Sequence, residues 1–192
     1  MLGFKKTPNR PCSYSFCFSQ ANKDYATWKA KLIGNHYYEY DLDRYDKRTN
    51  KNYQTRQIII KMDKKLKEHY YNLFYKPCKQ INLEILNQLD DIGICIWYLD
   101  DGSVYYNGNN CHITLSVNGF TLEERDLIIK WFKEKYDLNF KKSQKAIRIT
   151  SKKDCEKFMD IVEKYIPDCM SYKKLKNRIK RYYNEKQNIH NS

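Results

Sequence analysis

Glycine and proline are scarce, with six and four residues in a chain of 192. They leave no stretch that reads as a long flexible linker, so the length suits one ordinary domain or two small intertwined halves. No run approaches the roughly 20 apolar residues of a membrane span. Met1 to Lys6 has no apolar run long enough for a signal peptide. These absences predict a soluble protein with no membrane partner, inside a cell; cytoplasm, nucleoid, mitochondrion and plastid are not distinguished. The seven cysteines (12, 17, 78, 95, 111, 155 and 169) are odd in number and form no CxxC pair. Cys12 and Cys17 alone cannot supply the four converging ligands of a zinc finger. His36, His69, His112 and His190 show no metal-ligand spacing either. The cysteines therefore read as reduced thiols, mostly in the core.

Acid is also in short supply. Against 36 Lys and Arg stand 23 Asp and Glu, a formal charge of +13. Each cation placed on a phosphate releases a condensed counterion, so a nucleic acid is the natural partner of such a balance. A generic basic surface, as on a ribosomal or membrane-associated protein, would carry the same charge.

What is present is a repeat. Cys111, Ile113, Leu115 and Val117 alternate with His112, Thr114 and Ser116, a half-buried strand. From Thr121 a helix is expected, with Glu123 and Glu124 in its first turn and Leu127, Ile128, Trp131 and Phe132 as its apolar stripe. Then Ala146, Ile147 and Ile149 lead into a helix carrying Phe158, Ile161, Val162 and Tyr165. The first half repeats this grammar. Tyr14, Phe16 and Phe18 alternate with Ser13, Ser15 and Ser19, a helix follows over Lys23 to Leu32, and Ile58-Ile59-Ile60 runs into Leu66, Tyr70, Leu73 and Phe74. Each half reads strand, helix, strand, strand, helix. Only the second half has a further element before it, from Leu89 to Gly102.

In that element Ile92 to Leu99 is almost unbroken apolar sequence. Asp90 and Asp91 suit a helix start and Gly102 a helix end, which predicts a buried helix over 89–102. Asp100 and Asp101 then sit at its partially negative C-terminus, an unfavourable place unless a cation is near. A divalent metal would resolve the conflict and could serve phosphodiester displacement. A solvated Asp-Asp-Gly turn is the plainer alternative.

The segment resembles the motif of the LAGLIDADG homing endonucleases, in the form that reads like L-T-P-L-A-x-A-Y-W-F-M-D-D-G. Leu89, Cys95, Trp97, Tyr98, Asp100, Asp101 and Gly102 fall on matching positions. Phe120 to Glu124 resembles the family's helix start. Ile166-Pro167-Asp168-Cys169-Met170-Ser171-Tyr172-Lys173 is similar to its I-P-x-x-M-x-Y-K segment. Cys78-Lys79-Gln80-Ile81 looks like the K-K-x-I-P before the second motif, with Asn82 in place of proline.

The resemblance implies an α+β fold of two αββαββα-like half-domains about a pseudo-twofold axis, here residues 1–84 (with a connector) and 85–192. It implies a metal-dependent, site-specific DNA endonuclease that makes double-strand breaks for the spread of a mobile intron or intein. Asp101 would bind Mg²⁺ with Asp100 as its neighbour, and Lys79 and Lys173 would lie near the scissile phosphates. Double-stranded DNA would meet Ser13, Ser15, Arg56, His112, Thr114, Ser116, Arg148 and Thr150 on the sheets. Lys47, Arg48 and Lys51 would meet it at a basic hairpin turn, and Lys141 and Lys142 would meet it from the second half. A basic helix is expected over Lys173 to Lys186.

The family pattern needs two acidic motif ends, and no acidic residue precedes Ser13. The first half is therefore expected to lack its motif helix, the carboxylate and the first strand. A reading frame that begins further upstream, pairing with a second copy through the surviving motif helix, or a decaying gene would each account for it. The alternative functions are an RNA-binding intron maturase, with intron RNA as partner, and a non-cleaving DNA-binding protein.

Overall fold

The computed structural model describes residues 3–6, 14–34, 36–75, 80–108 and 110–190. The chain divides into two compact units, Met1–Lys76 and Pro77–Ser192.

The first unit runs β1 (Gly3–Lys6), β2 (Tyr14–Gln20), α1 (Lys23–Ile33), β3 (Tyr37–Asp46), β4 (Lys51–Ile60) and α2 (Lys64–Tyr75). Its sheet has the order β1-β2-β4-β3 and is antiparallel throughout. The first strand is thus present, which corrects the expectation that it is lost. Four residues were too few to show an alternation. Asn22 caps α1 by accepting the Tyr25 N–H at 3.0 Å. Phe18, Ile58 and Ile60 of the sheet meet Ala26 and Ala30 of α1, with Phe16, Ile33 and Tyr37 packed against them. Ile58-Ile59-Ile60 keeps strand register: Ile58 and Ile60 are buried and Ile59 points the other way, half-buried.

The second unit begins with α3 (Leu83–Asn87) and continues as α4 (Asp91–Asp101), β5 (Gly102–Tyr106), β6 (Cys111–Ser116), α5 (Leu122–Tyr136), β7 (Lys141–Ser143), β8 (Ala146–Ile149) and α6 (Lys152–Val162). Two 3-10 turns, Glu163–Tyr165 and Asp168–Lys173, lead to α7 (Leu175–His190). From α4 to α6 the order is αββαββα, and the sheet order is β5-β6-β8-β7. The strand β5 is a second addition to the pattern read from sequence. It follows the motif helix without a loop.

Local chemistry sets these boundaries. Asp90 caps α4 on the Gly93 N–H at 2.7 Å. Thr121 and Glu124 close a capping box on α5, with the two bonds at 3.2 and 2.7 Å. At the far end of α4 a Cβ on Gly102 would stand 2.6 Å from the Tyr98 carbonyl oxygen, so only glycine fits where helix passes into strand. The core lies between the sheet and α4, α5 and α6. Ile94, Cys95, Tyr98 and Leu99 of α4 are buried against Ile113, Leu115, Ile147 and Ile149 of the sheet and Ile128, Phe132, Phe158 and Val162 of the other helices. An aromatic chain runs through it: Trp97–Phe132, Phe132–Phe140, Phe140–Phe158 and Phe158–Tyr98, with ring centroids 4.7 to 6.1 Å apart. Among the described cysteines, 17, 95, 111 and 155 are buried thiols and Cys169 is half-buried.

Candidate active centre and nucleic-acid surfaces

The carboxylates of Asp100 and Asp101 leave the last turn of α4, and the chain enters β5 at the next residue. The electrostatic problem posed by the sequence has an answer from within the chain. The Lys173 ammonium donates to the carbonyl oxygens of Leu99 at 2.7 Å, Gly102 at 2.8 Å and Tyr98 at 3.3 Å. A cation thus sits at the helix C-terminus, where unsatisfied carbonyls gather negative charge. In return the Tyr98 hydroxyl donates to the Lys173 carbonyl at 2.7 Å. Burial pushes the Lys173 ammonium below the ordinary lysine range, while Asp100 and Asp101 hold it up. Its three hydrogen bonds use all three N–H donors. Lys173, expected near a scissile phosphate, turns its donors to the helix end in this structure. Lys79 lies outside the described residues.

Among the described residues no group of three or more His, Cys, Asp or Glu stands ready for a metal ion. A pair of carboxylates is nevertheless the donor set that suits Mg²⁺, which keeps several waters and takes one or two carboxylates with substrate phosphate oxygens.

The sheet beside this centre has a sorted outer face. Residues directly opposite in an antiparallel pair share a face. Ser103 faces Thr114, Thr114 faces Arg148 and Arg148 faces Lys141, so these four form one row. Tyr105 and His112 form the next and stack at 4.7 Å. Ser116 and Ala146 form another, and Thr150 is exposed just beyond β8. None of these is acidic, and all face away from buried Val104, Ile113, Leu115, Ile147 and Ile149. Burial, then the Arg148 charge, pushes the His112 imidazolium below the ordinary histidine range. A neutral ring offers one donor and one acceptor to a base edge. The Nε of Arg148 is buried without a hydrogen-bond partner. Lys142 does not belong here. It pairs with Ile147 on the helix side and binds Asp126 of α5 at 2.8 Å. Ser103 and Tyr105 were missed, although the alternation Ser103-Val104-Tyr105 was visible in the sequence.

The first unit sorts its charges in the same way. In β3, Glu39, Asp41 and Asp43 share parity with Tyr37 on the α1 side, while Tyr38, Tyr40, Leu42 and Arg44 point outward. Opposite them on β4 stand Ile59, Gln57, Thr55 and Tyr53. The outer face continues to Ser19, whose hydroxyl accepts from Arg44 at 3.1 Å. Arg56 is on the wrong side for the role expected of it. It shares parity with Ile58 and binds Asp41 at 3.0 Å and the Thr27 hydroxyl of α1 at 3.1 Å. Hydrogen bonds from Arg56 and then Lys23 hold the Asp41 carboxyl down at about 2. Arg44 is the outward arginine of this sheet.

Lys47 and Arg48 lie in the β3–β4 turn and Lys51 at its exit, all exposed. Asp46 is the one acid of β3 on the outer parity, and the turn engages it through the Arg48 N–H at 2.8 Å. Ser15 lies in β2 opposite Lys5, and Ser13 lies outside the described residues.

Residues 2–158 match the LAGLIDADG DNA endonuclease family. A stretch of 100 residues, 48% of this chain, is 34% identical to a probable intron-encoded endonuclease 1 of Wickerhamomyces canadensis, covering 43% of that protein. Another of 83 residues, 41% of the chain, is 35% identical to an uncharacterized protein of Methanocaldococcus jannaschii, covering 33% of it. The matched stretches thus span less than half the length of these two relatives. The fold is that of the homing endonuclease I-WcaI, solved bound to its DNA recognition sequence. The TM-score is 0.77 at 23% identity, over 91% of this chain and 80% of that one.

Proposed function

Since the chain belongs to the LAGLIDADG DNA endonuclease family, we propose that it is a site-specific DNA endonuclease, borne by a mobile intron or intein. The observation that carries this is a continuity of chain. Asp101 ends α4, and Gly102 opens β5, whose Ser103 and Tyr105 belong to the acid-free outer face. A hydrolytic carboxylate is thereby fixed to a surface able to read a major groove.

Asp101, with Asp100 beside it, would hold Mg²⁺; when bound, such an ion polarises a phosphoryl oxygen and lowers the pKa of a coordinated water. The chain's own residues do the rest. Lys173 neutralises the helix end on which the carboxylates stand. Arg148 and His112 present donors and an acceptor to base edges, on a face completed by Thr114, Ser116 and Tyr105. Lys141, Lys47, Arg48 and Lys51 contact phosphates and fix register without reading sequence. On the first unit Arg44 and Thr55 do the reading, and Arg56 holds the sheet from behind.

The test is cleavage of a DNA library of candidate insertion sites by purified protein with Mg²⁺ at low salt, which strengthens phosphate contacts. Cuts at one site that vanish in Asp101→Asn are the expected result. A nick would count one carboxylate centre per complex, and a double-strand break two, the second brought by another segment or another copy. Binding of intron RNA in preference to DNA, unaffected by Asp101→Asn, would sink the nuclease reading in favour of a maturase.

A further inference from the structure

We propose that Tyr98 is a positioning residue for cleavage, and that it acts with Lys173 as a reciprocal clamp on the end of the motif helix. The inference rests on the nuclease reading above and goes beyond it by giving the phenol hydroxyl and the ammonium one joint role.

Tyr98 is fully buried, so its hydroxyl never meets DNA. The ring packs edge-on against Phe158 at 5.4 Å, which a phenylalanine would do as well. What the hydroxyl adds is one hydrogen bond, 2.7 Å to the Lys173 carbonyl. A buried hydroxyl without a partner is costly, so this bond also ties the 3-10 turn Asp168–Lys173 to α4. The turn is secured from its other side by the Asn177 side chain, which donates to the Ser171 carbonyl at 2.8 Å.

With its carbonyl held in this way, Lys173 sends its side chain back over the same helix end. There it meets three carbonyls, and one of them belongs to Tyr98 itself. The Tyr98 carbonyl also accepts the Gly102 N–H, the bond that closes the helix. The loop of contacts thus passes from Tyr98 to Lys173 and back, and encloses Leu99 to Gly102. Asp100 and Asp101 are thereby held on both flanks, through Leu99 and Gly102. In this structure the ammonium directs its donors to this turn. Its service to the reaction is the fixed location of Asp101, together with a positive charge beside two adjacent carboxylates at a negative helix end.

The experiment compares Tyr98→Phe, Lys173→Met, Lys173→Arg and the Tyr98→Phe/Lys173→Met double variant with the wild type. Single-turnover cleavage and DNA affinity are both measured. We expect Tyr98→Phe to lower the rate about 10-fold, since small misplacements of a reacting group cost one to two orders of magnitude, with DNA affinity unchanged. Lys173→Met should fall further, and the double variant no further than Lys173→Met alone, because both remove one clamp. Lys173→Arg should not restore the rate, since a planar fork cannot aim three donors at three converging carbonyls. A phosphate contact, in contrast, would tolerate arginine. Wild-type cleavage by Tyr98→Phe, additive effects in the double variant, or rescue by arginine would each overturn the proposal.

Absence of cleavage by the wild type would count against the nuclease reading instead. The clamp is then read by amide hydrogen exchange. Faster exchange at Gly102 in Tyr98→Phe, with the amides of α5 unchanged, supports it, and unchanged exchange at Gly102 refutes it.

Discussion

The two units repeat one sheet, in the orders β1-β2-β4-β3 and β5-β6-β8-β7, and put it to different use. The second backs its sheet with α4, α5 and α6, all of which contribute buried residues. The first backs its sheet with α1, and its α2 has no buried residue among those described. In compensation the first unit has the longer hairpin. The strands β3 and β4 have ten residues each, against three and four in β7 and β8. A deep core fixes one carboxylate in place. A long, wet, tyrosine-lined ribbon offers length for reading. On the proposed function, cleavage and reach would fall to different parts of a duplicated plan.

The sharpest way to break this comparison is Asp101→Asn in the second unit against Asp41→Asn in the first. We expect the former to abolish cleavage, by at least about 1000-fold given the several kcal/mol such a centre supplies, with DNA affinity retained. The latter should leave the cleavage rate alone.

Core truncation comes next. Phe158→Ala should destabilise the protein by about 3–5 kcal/mol, seen as a lower urea midpoint. Phe74→Ala on α2, where Phe74 is only half-buried, should cost clearly less, about 1 kcal/mol. Equal losses would contradict the contrast in burial.

For binding, Arg148→Ala should cost about 1–3 kcal/mol and relax preference at one base position. Lys47→Ala should weaken all sequences alike and reduce the salt slope by about one. Arg56→Ala and Lys142→Ala should leave sequence preference as it is, because both cations are turned toward helices. Competition binding across a randomised site separates the three classes.

The smallest effect is on pH. The Asp41 carboxyl is held at about 2 by Arg56 and Lys23, below its usual 3.8. A carboxyl depressed in the folded state contributes stability that is present above its unfolded value and lost as pH falls through the folded one. The gap in melting temperature between wild type and Asp41→Asn should therefore be open above pH 4 and close between about pH 4 and pH 2.

Much of this was written in local sequence. The alternation Cys111–Val117 places its own side chains, because a strand's period of two needs no partner to be read. Thr121 and Glu124 announce a capping box three residues apart, and Asp90 a cap. The Asp-Asp-Gly end of α4 declared itself by charge placed against a helix dipole. Of two short strands outside the repeat read from sequence, Gly3–Lys6 is too brief for a period to emerge, whereas Gly102–Tyr106 carries a short alternation at Ser103-Val104-Tyr105 that adjoins the helix without a loop. Acid sorting in Tyr37–Asp46 was legible in principle, since Glu39, Asp41 and Asp43 share one parity, but the face to which that parity belongs was not.

The sequence alone determined the strand and helix periods, the caps, the excess of cations and the carboxylates at a helix end, because each depends on neighbours within a few residues. Tertiary structure alone decided which cations face outward. Arg56 and Lys142 turn inward because cross-strand register pairs them with the buried side, and register is set by strands distant in sequence. It likewise decided what Lys173 does. Its ammonium meets the end of α4 across a separation of some seventy residues, and only the folded chain brings three carbonyls to one point for it to bind.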